Sequence, residues 1–189
     1  RFFRLPKVDK WVIRTGLVFV LLMTLTRVIF YFFFNNQGNP ITNLVATFFL
    51  GLRFDFRSAS LLVLPMFLLA RFSPLNPFTS QRAKRGWMIY WGIASLLLVF
   101  FYVVDFAHYA YLGQRLNASI LNYLQDAGIS MDMVWQSYPV LRLVLLLAGG
   151  TLIITWIINR TFLLVAGTSG DNKKKKGWAG SLGLFFLIA

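Results

Sequence analysis

Long apolar runs separated by short basic stretches organise the chain. The first, residues 11–34 (WVIRTGLVFVLLMTLTRVIFYFFF), predicts a helix about 36 Å long, enough to cross a ~30 Å hydrocarbon layer. A cleaved leader has a shorter apolar stretch ending in small residues, whereas this run ends in YFFFNN and is expected to stay. The second run, 43–70, is interrupted by GLRFDFR at 51–57. Residues 58–70 alone are short for a span, which leaves two arrangements: a helix that includes part of the charged cluster, or one that follows an interfacial segment over 41–52. Residues 87–104 and 139–159 make a third and a fourth span. A fifth begins at Trp178 and stops after 12 residues, and position 1 is Arg rather than Met, so the sequence is expected to be a piece of a longer protein.

Residues 105–138 are too polar to span. Leu116, Ile120, Leu121 and Leu124 nevertheless fall on one helical face, predicting a short external amphipathic helix between helices 3 and 4 that lies on the membrane or on a partner domain. Pro139 suits the first turn of the fourth helix, and Gly149 and Gly150 are expected to let helices pack closely. Trp11, Trp87, Trp135, Tyr138 and Trp178 sit near run ends, where aromatic rings favour the interface. The fold class predicted is therefore an all-α, polytopic integral membrane domain of five transmembrane helices, the fifth truncated (178–189 onward).

The basic residues orient it. Segments 1–10, 71–86 and 160–177 carry four, four and five Lys or Arg, against none in 35–40 and one, Arg115, in 105–138. By the positive-inside bias the N-terminus and both basic loops are cytoplasmic, and 105–138 and whatever follows Ala189 are external. The net charge of +13 is thereby explained without nucleic acid. With 58% hydrophobic and 13% charged residues, a soluble domain is excluded on composition. Cys and Glu are absent and His108 is the one histidine, so disulfides and thiol nucleophiles are ruled out. No catalytic residue, no metal site and no cofactor are expected in this chain, and no phosphate-cradling glycine loop, nucleophile elbow or HExxH occurs. The triplets at Asn117 and Asn159 that match glycosylation acceptors are read as chance, and no internal repeat is visible.

GLRFDFR carries the candidate chemistry. Arg53 and Arg57 are four apart and share a helix face, while Asp55, 200° round from Arg53, points elsewhere. Two guanidinium groups on one face suit a phosphate, which they grip through charge-assisted hydrogen bonds. The alternative is that they snorkel to external headgroups or pair with an acidic neighbour such as Asp105. Arg27, in the outer third of the first helix, and the external Arg115 join them as candidate headgroup-binding residues, and Asp55, Asp105 and His108 are candidate structural polar partners.

GLRFDFR, together with DFAHYAYLGQRLNASILNYLQDAGISMDMVWQSYP after the third run, resembles the N-terminal membrane domain of the lipoteichoic acid synthase and phosphoglycerol transferase family. The resemblance implies five transmembrane helices in a bacterial cytoplasmic (inner) membrane, followed by an extracytoplasmic sulfatase-like domain that holds a threonine nucleophile and a divalent metal, manganese or magnesium. It implies that the whole protein moves phosphoglycerol from phosphatidylglycerol to an envelope glycolipid, polymer or glucan. This segment is then the anchor and presents the lipid headgroup, with anionic phospholipid and its own external domain as partners. A phosphoethanolamine transferase, and a lipid-sensing regulator with a non-catalytic sulfatase-like domain, remain open. A small transporter or channel ranks lower, because only the second run has a dense charged cluster.

Overall fold

The computed structural model describes residues 5–34, 41–117, 135–136 and 139–168. The described chain is all-α, with four long helices: α1 Lys7–Phe34, α2 Ile41–Leu69, α3 Gln81–Leu112 and α4 Val140–Ala166, and a 3-10 turn at Ser73–Leu75 between α2 and α3. Of these, α1, α3 and α4 are long and apolar enough to cross a membrane. The predicted count of five spans is corrected on this point: among the described residues three helices qualify, and α2, though 29 residues long, is set apart by Arg53, Asp55 and Arg57 at its centre. The fifth run at 178–189 and residues 118–134 of the amphipathic segment lie outside the described residues.

Of the two arrangements open for the second run, the helix includes the charged cluster: α2 runs unbroken from Ile41 through GLRFDFR and past Pro65 to Leu69. The helices also outrun their apolar stretches, α3 starting at Gln81 and continuing through DFAHYAYL. Apolar periodicity marks what hydrocarbon covers, whereas backbone hydrogen bonding continues until a cap or breaker ends it. For α3 that cap is Ser80, whose Oγ accepts from the Ala83 N–H at 3.4 Å.

By compactness the chain divides into two units, one formed by residues up to Tyr90 together with those from Ile157 onward, the other by Trp91–Trp156. In the first unit α1 and α2 run antiparallel. Val8, Val12, Thr15, Phe19 and Met23 recur every three or four residues as the buried stripe of α1. Asp55, Ala59, Val63, Met66 and Ala70 do the same along α2 and the residue after it. One end of this unit is tied by polar contacts. Asp9, buried in the first turn of α1, accepts from Arg71 Nη2 at 3.1 Å just beyond α2, and Lys7 Nζ donates to the Ala166 carbonyl at the end of α4 at 3.2 Å. Trp11 sits edge-on to Phe162, which stacks on Phe78 at 4.8 Å with Lys84 Nζ over its ring at 4.7 Å.

Trp11 is fully buried, and Trp87, also buried, donates its indole N–H to the Leu75 carbonyl at 2.9 Å. Both rings thus pack against other segments of the unit. Trp135 is exposed; Tyr138 and Trp178 lie outside the described residues.

In the second unit, Gly150 of α4 faces Val99 of α3 closely enough that a Cβ would come within 3.1 Å of a valine methyl, as its expected packing role requires, whereas Gly149 faces open space. α3 ends at Gly113, whose φ of 67° is the left-handed conformation that costs glycine least, and its N–H bonds the Tyr109 carbonyl. The chain then turns back along the helix it has left.

Candidate functional site

The GLRFDFR cluster resolves into two faces of one helix. Gly51 and Asp55, four apart, lie on the stripe of α2 that meets α1. Asp55 is 4% exposed, and its carboxylate accepts from Arg27 Nη2 at 2.6 Å and from Thr24 Oγ at 3.1 Å. The Arg27 guanidinium lies directly against Gly51, and a Cβ there would overlap its Nη1, Cζ and Nε atoms. Arg27 Nη1 is buried without a hydrogen-bond partner. Its remaining donor group is thus held by packing alone.

Arg53 and Arg57 occupy the other face and are both exposed. Neither forms an ion pair among the described residues, and the Arg57 guanidinium lies 5.8 Å from the Phe54 ring centroid. The helical spacing thus separates one neutralised carboxylate from two uncompensated cations within seven residues of sequence. Asp55 is occupied by Arg27, so it does not quench Arg53 or Arg57 through a contact.

Asp105, named among the candidate polar partners, has a partner within its own unit. Asp105, 7% exposed on α3, accepts from Arg115 Nη2 at 2.5 Å and Nε at 3.2 Å through one oxygen, and from the Leu116 N–H at 2.9 Å through the other. His108, one turn along, is half-buried and takes no part in that network. Of the four arginines singled out from sequence, Arg27 and Arg115 hold carboxylates, and among the described residues Arg53 and Arg57 do not.

Sequence reasoning missed Thr24, the role of Gly51, and the Asp9 and Arg71 pair. A usable signal existed for the Arg27 and Asp55 pair: an Arg within one apolar run and the one Asp of the next are expensive apart and cheaper together, so hairpin neighbours at matching depth are a natural pair. Among the described residues no three of His, Cys, Asp and Glu converge on a point.

Fold and site together define an all-α protein with three candidate membrane-spanning helices and ion pairs buried between helices. No protein-family model, curated protein or solved structure matches the chain.

Proposed function

We propose that this chain is the membrane-embedded domain of a phosphoglycerol transferase of the lipoteichoic acid synthase type, and that Arg53 and Arg57 hold the headgroup phosphate of phosphatidylglycerol. The observation that carries the proposal is the division of GLRFDFR: Asp55 turned inward onto Arg27, Arg53 and Arg57 exposed and without an ion pair among the described residues. In this reading α2 crosses the membrane beside α1. Asp9 at the start of α1 meets Arg71 beyond the end of α2, so the two helices traverse the same thickness, and pairing Asp55 with Arg27 lowers the cost of α2's charges. The end that gathers Lys7, Arg71 and Lys84 is cytoplasmic, in keeping with the positive-inside bias, and the Arg115 end is external.

Depth supports the assignment. Counted from Trp11, where the apolar run of α1 begins, Arg27 lies about 24 Å along the helix, in the outer third of a ~30 Å hydrocarbon layer. Gly51 and Asp55 both meet Arg27, so Arg53 between them shares that level and reaches headgroup phosphate by extending outward. Arg57 starts about 6 Å deeper, with Phe54 beside its guanidinium.

The test is a lipid titration on the purified protein in phosphatidylcholine nanodiscs, with retained phosphatidylglycerol counted by native mass spectrometry. Arg53→Gln with Arg57→Gln should leave the fold intact and weaken phosphatidylglycerol retention, each lost charged contact costing about 1.5–3 kcal/mol. Soluble glycerol phosphate should compete poorly. A correctly folded double variant with unchanged phosphatidylglycerol affinity would refute the headgroup assignment.

A further inference from the structure

We infer that Gly51 is a socket for the Arg27 guanidinium, and that this fit sets the electrostatic strength of the Arg53 and Arg57 site; Gly51 and Arg27 are positioning residues for it, and the inference rests on the headgroup reading above. Arg27 reaches Asp55 across the hairpin by lying flat on the backbone of α2 where any other residue would project a side chain. One of its terminal nitrogens is bonded to Asp55 and the other is buried without a partner, so a single ion pair and a single wall determine where the guanidinium rests. Thr24 supplies the second bond to Asp55 but no charge.

Arg53 and Arg57 flank Asp55 by two residues on either side. Their side chains leave the helix on another face, yet a carboxylate within one helical turn acts on both through a poorly screening medium. With Arg27 seated, the charges of Arg27 and Asp55 cancel and a lipid phosphate meets two undiminished cations. With Arg27 displaced, Asp55 is left an uncompensated anion within one turn of both arginines and competes with the phosphate for them. Gly51 therefore acts on the lipid site from the opposite face of the helix.

A glycine needed only for close helix packing makes a different prediction. Any added Cβ would then harm the hairpin whatever stands at position 27. In a socket, a slimmer cation should tolerate the methyl, because an ammonium lacks the planar fork that the methyl would strike. The experiment is Gly51→Ala, alone and combined with Arg27→Lys, in full-length chain in the same nanodiscs, reading thermal stability and phosphatidylglycerol retention together. Gly51→Ala should lose about tenfold in retention, and Arg27→Lys with Gly51→Ala should recover to within about twofold of Arg27→Lys alone. If Gly51→Ala prevents folding, the double variant should restore folding as well as retention. Wild-type retention in a folded Gly51→Ala protein, or no recovery in the double variant, overturns the socket. Loss of retention in Gly51→Ala alongside wild-type retention in the Arg53→Gln, Arg57→Gln protein overturns the headgroup reading instead, which keeps the two failures distinct.

Discussion

Asp105 shows how one carboxylate can organise a chain reversal. Both oxygens are used, one by the Arg115 guanidinium and one by the Leu116 N–H, and the reversal that brings these donors back is made at Gly113 in the left-handed region. Asp105→Asn keeps the shape but removes the charge, and Gly113→Ala adds a Cβ where the backbone disfavours one by about 1 kcal/mol. Either change should speed hydrogen exchange at the Leu116 amide by roughly tenfold or less while leaving mid-α3 amides protected; unchanged exchange at Leu116 in both would show that the carboxylate does not hold the turn. At this scale the sequence was informative about faces and silent about partners. That Arg53 and Arg57 share a face and Asp55 does not follows from helical angle alone. That Asp55 belongs to Arg27, and Asp105 to Arg115, depends on how helices and turns are brought together, which residue spacing along one helix does not encode.

Among the elements, Phe162 of α4 is the side chain on which most of one bundle end converges: Trp11 from α1 meets its edge, Phe78 from the loop stacks on it, and Lys84 from α3 lies over its ring. Phe162→Ala should lower stability by about 3–5 kcal/mol, seen as a fall in melting temperature. Leu152→Ala, at a position 70% exposed, should lower it far less. Equal effects would mean the aromatic cluster contributes no more than an exposed leucine. The positions of all four helices were legible as apolar runs, because burial in hydrocarbon and burial in protein demand the same residues. That same equivalence hid which face of each helix packs. The choice between the two arrangements for the second run was illegible for another reason: three charges break an apolar run without breaking a helix, since Arg and Asp disturb solvation far more than backbone geometry.

For the whole molecule, the proposed orientation makes the most exposed claim. Cysteine introduced at Ser80 should be shielded from an impermeant thiol reagent in intact cells, and cysteine at Asn117 should react; the reverse pattern would invert the topology. The neutralisation of Asp55 by Arg27 has a consequence for how such a protein is made. Each Arg or Asp at the centre of a nascent helix opposes its partition from the translocation channel into lipid by about 2.5–3.5 kcal/mol, and α2 presents three. Synthesis proceeds from the N-terminus, so Arg27 has already emerged when Asp55 follows it, and each cancels the other's penalty only if α1 has not yet diffused away. The proposed hairpin should therefore be inserted as a pair, with α1 detained at the channel until α2 arrives.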